Sequence, residues 1–444
     1  MARGKKAAKE LSPEEKLQQA LVPVKEQPYP IPENWCWVKF SNIMELISGR
    51  DVALADCNSE GLGIPYILGA SNIENNTFTI ERWIEAPQVI SKKGDILLSV
   101  KGTIGKLYIQ QEEKVNISRQ IMAIRPTQIL KNKLAYLFLQ LVCDELRATG
   151  NGLIPGISRA DILDKTFPFM PLPEQQRIVD HIESLFAKLD EAKEKVQAVV
   201  DSFELRKSAI LHKAFTGELT ERWRKEHGVG LESWINTIFK SILDVRDGTH
   251  DSPEYVDVGY ALVTSKNLKD GKITDKNLKY ISQDDYNKIS ARSKVDIGDI
   301  LFAMIGTIGN PVVIKDKPNY AIKNVALFKN IKKVNPYFVK YYLETKEVRD
   351  KMDRDAKGST QRFVSLEYLR NFPIPIPTEA EQIELVERVD NLLEKEQQAK
   401  EAAESVLTQI NTMKKAILAR AFRGELGTND LTEESAVELI KASL

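Results

Sequence analysis

The chain has 444 residues, 42% of them apolar, which is enough for two or three domains with real cores. Its 63 Lys+Arg are balanced by 63 Asp+Glu, so bulk charge gives no general attraction to nucleic acid, and any DNA contact must come from local patches. Cys36, Cys57 and Cys143 form neither a CxxC pair nor a metal-ligand spacing, which points to a reducing compartment without a disulfide framework.

The start, Met1 to Glu10, is basic but leads into no apolar signal core. The longest apolar candidate, Leu134 to Cys143, is about half of a membrane span and contains Gln140. A soluble, cytoplasmic protein without membrane contact is expected. Ser12-Pro13-Glu14-Glu15 opens a short helix, with Ser12 as cap, Pro13 at the first helical position and Glu15 completing a capping box. Tyr29-Pro30-Ile31-Pro32 ends this N-terminal helical extension, residues 1–30. From 31 to 173, short apolar runs such as Ile64 to Leu68 and Asp95 to Val100 are separated by glycines and joined by one helical segment near Asn132 to Leu146, the pattern of a compact α+β domain. Phe167-Pro168-Phe169-Met170-Pro171-Leu172-Pro173 cannot be helix interior and forms a stiff lead into the next segment.

Residues 174–219 carry Ile178, Ile182, Leu185, Leu189, Ala192, Val196, Val199, Phe203, Arg206 and Ile210 at alternating steps of four and three, a heptad seam seeking a partner. The partner lies further along the same chain. In residues 378–426, Leu385, Val389, Leu392, Glu396, Ala399, Ala403, Val406, Ile410, Met413 and Ile417 repeat the spacing, and Ala214-Phe215-Thr216-Gly217-Glu218-Leu219 is matched by Ala421-Phe422-Arg423-Gly424-Glu425-Leu426. About forty helical residues make a rod of roughly 60 Å. Between the two helices, a polar connection (220–230) leads into a second globular region, 231–377. There Leu231-Glu232-Ser233-Trp234 answers Pro32-Glu33-Asn34-Trp35, and Gly298-Asp299-Ile300-Leu301 and Gly306-Thr307-Ile308-Gly309 answer Gly94-Asp95-Ile96-Leu97 and Gly102-Thr103-Ile104-Gly105. Likewise Asn324-Val325-Ala326-Leu327 answers Gln120-Ile121-Met122-Ala123, and Phe372-Pro373-Ile374-Pro375-Ile376-Pro377 repeats the Pro-rich lead. Residues 427–444 are expected to form a C-terminal tail helix. The chain is thus a tandem duplication of globular domain plus long helix. The helices match better than the globular halves, as a shared frame carrying two different readers would. Residues 31–173 hold 15 Lys+Arg and 15 Asp+Glu, whereas 231–377 hold 24 and 19, so only the second reader is basic.

Spaced clusters of acid, base, nucleophile or metal ligand are missing from the sequence. His181, His212, His227 and His250 have no metal-ligand spacing, and His181 and His212 fall on the first long helix, where a solvated face accounts for them. The two Gly-Thr-Ile-Gly stretches lack the Gly-Lys-Ser/Thr ending of a phosphate loop. They read as tight turns between strands, with the Thr hydroxyl and backbone N–H groups available to a DNA phosphate.

The duplicated layout, Pro173-Glu174-Gln175-Gln176-Arg177-Ile178, the two Ala-Phe-x-Gly-Glu-Leu helix ends, the Asp247-Gly248-Thr249-His250-Asp251-Ser252-Pro253 loop and both Gly-Thr-Ile-Gly turns resemble the DNA-specificity subunit of type I restriction-modification enzymes. The resemblance covers nearly the whole chain, from about Trp35 to Leu444. It implies two target-recognition domains, one per half of a split site in double-stranded DNA, separated by two long helices that pair as an antiparallel coiled coil. It also implies no catalysis and no cofactor on this chain: two modification subunits would carry S-adenosylmethionine, and restriction subunits would carry ATP- and magnesium-dependent translocation and cleavage. The first reader departs from the pattern at Ser48-Gly49-Arg50-Asp51, where the second has its Gly-Thr-His loop. Base edges specify and phosphates position, so the candidate DNA-binding residues are polar loop residues. In the first reader these are Arg50, Ser71, Asn72, Lys101, Thr103, Lys106, Arg119 and Gln120; in the second, Thr249, His250, Lys266, Asn267, Thr307, Lys323, Asn324, Gln361 and Arg362. Two other readings compete. A single-chain methyltransferase or endonuclease would need an S-adenosylmethionine pocket and an Asn/Asp-Pro-Pro-Tyr/Phe loop, which the sequence lacks. A coiled-coil protein-interaction adaptor would not explain why two globular domains of one plan diverge.

Overall fold

The computed structural model describes residues 12–74, 77–149, 156–331, 334–359 and 361–443. The basic start lies outside them. The chain forms two compact units, one of Met1–Lys195 with Val406–Leu444, the other of Val196–Ser405. Each therefore contains one reader and parts of both long helices.

The first unit begins with the expected capping box: Ser12 Oγ accepts from the Glu15 N–H, and Glu15 Oε2 accepts from the Ser12 N–H at 2.7 Å, opening the helix Pro13–Ala20. An antiparallel sheet runs in the order Met44–Ser48, Ile121–Pro126, Ile96–Ser99, Leu107–Ile109. A second runs Trp83–Ile84, Ile64–Ile67, Lys114–Ile117, Ile90–Lys92, with a parallel pairing at its centre. The Pro-rich lead is not merely a stiff linker. Its Thr166–Phe169 strand pairs antiparallel with Cys36–Lys39 at the reader's entry. The helix Asn132–Thr149 buries Leu134, Phe138, Val142 and Leu146, and Phe138 and Phe167 both contact Phe422 from the end of the second long helix.

The second unit repeats the plan. Its sheets run Leu243–Asp247, Val325–Asn330, Ile300–Ala303, Gly309–Val313 and Tyr255–Val256, Lys279–Ile281, Tyr260–Thr264, Tyr320–Lys323, and Ile235–Ile238 pairs with Pro373–Ile376. Phe215, at the end of the first long helix, packs on Phe338 and Tyr342.

The start of each long helix is the most closely repeated feature. Glu174 and Glu381, 207 positions apart, are both fully buried acids. Glu174 Oε2 accepts from Trp35 Nε1 (2.7 Å) and Asn429 Nδ2 (2.7 Å). Glu381 accepts from Trp234 Nε1 (3.0 Å), Thr220 Oγ1 (2.7 Å) and Arg224 Nη1 (2.7 Å). The neighbouring glutamines do the same job for backbone: Gln175 Oε1 accepts from the Lys131 N–H and Gln382 Oε1 from the Asn335 N–H, both at 2.9 Å. A buried polar group must find partners, and here the partners fix the reader's first tryptophan to the helix's first turn.

The second long helix, Glu379–Ala421, is continuous over 43 residues, roughly 65 Å. The first is not. It runs Leu172–Asp201 and Phe203–Phe215, broken at Ser202. Ser202 Oγ donates back to the Val199 carbonyl at 3.0 Å, and Arg206 donates to the same carbonyl at 3.2 Å; such side-chain bonds compete with the helical ladder. The polar seam positions read from the sequence meet each other, since Arg206 Nε lies 2.5 Å from Glu396 Oε2. The seam itself is thinner than its spacing suggests: Ala192, Ala399, Val406 and Met413 are exposed, and Val199 is 43% exposed. Within each unit the helix parts pack antiparallel, with Lys414 bonded to Asp190 (2.5 Å) in the first and Lys400 over the Phe203 ring in the second. The connection after the first helix holds a short helix, Glu221–Glu226, and among the described residues of the tail Ala436–Ser443 is helical.

Candidate nucleic-acid interface

Polar residues meet where two loops cross at the junction of the two sheets in each reader. In the first reader, the Gly49 N–H donates to the Ile121 carbonyl and the Arg50 N–H to the Ile117 carbonyl. In the second, Gly248 donates to Val325 and Thr249 to Ile322. The two pairs of bonds are alike, except that the loop they close is one residue longer in the first reader, with three residues between Ile117 and Ile121 against two between Ile322 and Val325. A Cβ at Gly49 would sit 2.1 Å from the Ser118 carbonyl oxygen, and one at Gly248 would sit 2.3 Å from that of Ile322, so the close approach requires glycine in both. Thus Ser48-Gly49-Arg50-Asp51 is the counterpart of Asp247-Gly248-Thr249-His250 in backbone path, although it shares only the glycine in sequence.

On this common crossing the side chains differ. In the first reader Asp51 Oδ1 accepts from the Arg119 N–H (3.1 Å) and Arg119 Nε lies 2.7 Å from Asp51 Oδ2. In the second, the equivalent pair is His250 and Asn324, with His250 Nδ1 2.8 Å from Asn324 Oδ1 and His250 Nε2 2.8 Å from Asp247 Oδ2. Both ring nitrogens therefore face acceptor oxygens and both must carry protons to bond them, which favours the imidazolium. The bonds to Asn324 and Asp247 raise the His250 pKa above its ordinary value. Asp247, nearly buried, is shared with Arg292 Nη2 at 2.9 Å. Asn324 takes a left-handed backbone conformation (φ 56°), and Lys323 Nζ reaches Ser252 Oγ at 2.5 Å.

The Gly-Thr-Ile-Gly stretch of the first reader is the hairpin turn expected, between Ile96–Ser99 and Leu107–Ile109, with Gly102 and Gly105 at positive φ. Ser99 Oγ braces it, donating to the Thr103 carbonyl (2.7 Å) and accepting from the Lys106 N–H (2.8 Å), while Lys101, Thr103 and, in the second reader, Thr307 stay exposed. Gly306 is tied by its N–H to the Arg362 carbonyl, which brings Gln361 and Arg362 beside that turn. Arg50, Ser71, Arg119, Gln120, Lys266 and His250 are also exposed. Gln120 neighbours Arg119 at the crossing, and Lys266 adjoins Ser265, whose Oγ donates to the Asn324 carbonyl at 3.0 Å.

Asn72 and Asn267 are corrections. Both are buried, with amide oxygen and nitrogen each hydrogen-bonded inside the protein. Asn72 Oδ1 accepts from the Leu68 and Gly69 N–H groups and its Nδ2 donates to the Thr79 carbonyl, while Asn267 Oδ1 accepts from Thr264 and its Nδ2 donates to the Thr274 and Lys276 carbonyls. They build the loops and offer nothing to a ligand. Both close a short 3₁₀ turn, Ala70–Asn72 and Ser265–Asn267, a local role that competes with any outward contact. Asp51, Asp247 and Arg292 were missed: the two acids flank the crossing glycine, but nothing local in the sequence marks Arg292.

Residues 32–200 and 253–405 match the family model of the type I restriction modification DNA specificity domain, in two copies. The chain belongs to this family. It is a type I specificity subunit, carrying DNA target recognition in its two readers. It is 23% identical over 414 residues to the EcoBI specificity subunit of Escherichia coli, covering 89% of this chain and 87% of that one, and 23% identical to the MjaVIII specificity subunit of Methanocaldococcus jannaschii, covering 90% and 95%. Among solved structures, a chain from a study of assembly and conformational transition of the type I R-M system is similar with a TM-score of 0.69 at 18% identity, covering 90% of this chain and all of that one. The HsdS subunit of Thermoanaerobacter tengcongensis matches with a TM-score of 0.57 at 18% identity, covering 91% and 100%. Relatives of this kind are the non-catalytic, specificity component that works with other subunits of the system. Among the described residues no helix is long and apolar enough to cross a membrane, and no His/Cys/Asp/Glu group is arranged to hold a metal ion.

Proposed function

We propose that the two readers of this specificity subunit each recognise one half of a bipartite site in double-stranded DNA, and that the paired helices set the gap between the halves. The reading rests chiefly on one observation: a backbone crossing closed on a glycine in both readers carries Arg119 and Asp51 in one and Asn324 and His250 in the other. A conserved path with exchanged donors and acceptors is what two base readers of different sequence need. The domain division that serves it is 31–173 and 231–377 for the readers, 174–219 and 378–426 for the helices, with 1–30, 220–230 and 427–444 as extension, connection and tail.

In this reading Arg50, Arg119, Gln120, His250, Lys323 and Asn324 face the DNA from the crossings. Ser71, Lys101, Thr103, Lys106, Thr249, Lys266, Thr307, Gln361 and Arg362 contribute phosphate and groove contacts from adjoining loops. Two modification subunits supply S-adenosylmethionine chemistry and restriction subunits supply ATP, magnesium and cleavage, in the cytoplasm. Exposed apolar residues of the long helices, Val199, Leu205, Ile383, Val406 and Met413, offer the modification subunits a surface. Replacing 231–377 by the corresponding region of a relative with another target tests the reading. Methylation mapping should show one half-site changed and the other kept, and a change in both halves would refute it.

A further inference from the structure

Each reader carries a short hairpin after its second-sheet strand, and the two hairpins share one construction. In the first reader Ile73–Glu74 pairs with Thr77–Phe78, and the Thr79 N–H donates to the Asn72 carbonyl (2.9 Å). In the second, Leu268–Lys269 pairs with Lys272–Ile273, and the Thr274 N–H donates to the Asn267 carbonyl (2.8 Å). Ile73 and Leu268 are buried on the inner side. Asp270 and Gly271, both at positive φ, form the two-residue turn of the second hairpin.

The outer side chains are exchanged. Where the first hairpin has Ser71, Glu74, Thr77 and Glu81, the second has Lys266, Lys269, Lys272 and Lys276 at the same spacings. Residues 71–81 hold two acids and no Lys or Arg, whereas 266–276 hold four lysines and two aspartates. All four lysines are exposed, and among the described residues none is paired with an acid, Asp270 and Asp275 included. Lys269 and Lys272 stand directly opposite each other across the ladder. Like charges so placed weaken a strand pair, and the first reader builds the same hairpin without them. The lysines therefore do not serve the folding of this element.

The hairpin lies between two elements of the candidate interface. At its start, Ser265 Oγ donates to the Asn324 carbonyl (3.0 Å) at the crossing, and Thr264 pairs with Lys323. Further along, the Leu268 carbonyl accepts from Asn310 Nδ2 (3.2 Å), on the strand that leaves the Gly-Thr-Ile-Gly turn. We propose that the hairpin grips the phosphate backbone of the duplex beside the second half-site without reading its bases. Lysine binds phosphate as a point charge, and phosphate contacts fix position while carrying no sequence information. The second reader then holds duplex DNA of any sequence, while the first depends on its crossing. The inference rests on the proposal that the crossings face DNA.

The test measures binding of the assembled methyltransferase to target and non-target duplexes over a range of salt concentrations. Lys269→Gln with Lys272→Gln should make the slope of log affinity against log salt shallower by about 1.8, as expected for two lost phosphate contacts, and by the same amount on both duplexes. Lys269→Arg with Lys272→Arg should keep the original slope. Mapped half-sites should be unchanged in both, and the hairpin amides of the Gln variant should exchange no faster, because a like-charge pair has been removed. An unchanged slope overturns the backbone grip, as does an altered second half-site or a hairpin that loses protection. Loss of a modification subunit at unchanged slope also overturns it, since the lysines would then face a protein. These outcomes leave the half-site reading standing, because that reading is decided separately by the exchange of 231–377.

Discussion

Arg224 and Glu381 form a buried pair whose consequences can be worked out. The Arg224 side chain is 8% exposed and that of Glu381 is fully buried, with Nη1 2.7 Å from Oε1. Arg224 also donates to Thr220 Oγ1 (2.9 Å) and the Gly217 carbonyl (2.6 Å), so one guanidinium ties the end of the first long helix to the start of the second. Arg224→Met removes the cation and leaves a carboxylate that Trp234 and Thr220 hydrogen-bond but do not neutralise. Breaking a buried pair in this way costs about 3–5 kcal/mol, or roughly 100- to several-thousand-fold in the opening equilibrium at about 1.4 kcal/mol per decade. The loss should be confined to the second unit, because the corresponding Glu174 is held by Trp35 and Asn429. Denaturant-dependent hydrogen exchange of the whole chain resolves the units: strands Leu243–Asp247 and Val325–Asn330 should lose protection by that factor while Met44–Ser48 and Ile121–Pro126 keep theirs. Arg224→Met with Glu381→Gln should recover part of the loss. A single-variant cost under about 1 kcal/mol, or a double variant no better than the single, would show that the pair does not hold the junction.

With its pKa raised above the ordinary 6.5 by Asn324 and Asp247, the His250 cation and its stabilising contribution are fully present below 6.5 and lost as pH rises through the raised value; DNA affinity of the assembled methyltransferase should fall over that rise, and H250Q should flatten the profile. Arg119→Ala should relax discrimination in the first half-site only, read by methylation mapping, by about 1–3 kcal/mol if the guanidinium reads a base. Gly248→Ala places a Cβ 2.3 Å from backbone, so recognition of the second half-site should be lost while the first unit's hydrogen-exchange protection is unchanged. Four helix-forming residues inserted after Lys195 add about 6 Å, slightly under two base-pair rises of about 3.4 Å, so mapped half-sites should stay the same with one or two more base pairs between them; this site avoids Phe215, which is packed on Phe338 and Tyr342.

The duplication, the long helices and the hairpin at Gly102-Thr103-Ile104-Gly105 were legible because each is a periodic or short-range signal. The break at Ser202 was not, since heptad spacing continues through it and the cause is a bond from Arg206 to a carbonyl. Burial along the seam was overestimated for a related reason: spacing shows which face a residue occupies, and does not show how closely a partner approaches it. The candidate site was legible as loops but not as side chains. Asn72 and Asn267 look like any polar loop residue until their amides are seen closing 3₁₀ turns. Asp51 and Arg292 act through Arg119 and Asp247, residues distant from them in sequence.

The same contrast shows how such a chain can change its target without losing its frame. The demands common to both units are steric and buried: a glycine where two backbones cross, an acid and an amide in the first turn of each long helix, a tryptophan N–H at each reader's entry. Altering any of them forces a clash or leaves a buried polar group unpaired, which costs more than a marginally stable domain can absorb. The side chains on the crossing, Arg119 with Asp51 or Asn324 with His250, are hydrogen-bonded to each other at the surface, where exchange of one pair for another costs little. Specificity is therefore carried by the residues with the weakest claim on stability. A reader exchanged together with its own strand from the Pro-rich lead, so that Cys36–Lys39 keeps Thr166–Phe169 or Ile235–Ile238 keeps Pro373–Ile376, should dock on the same helix start through the same Glu–Trp bond.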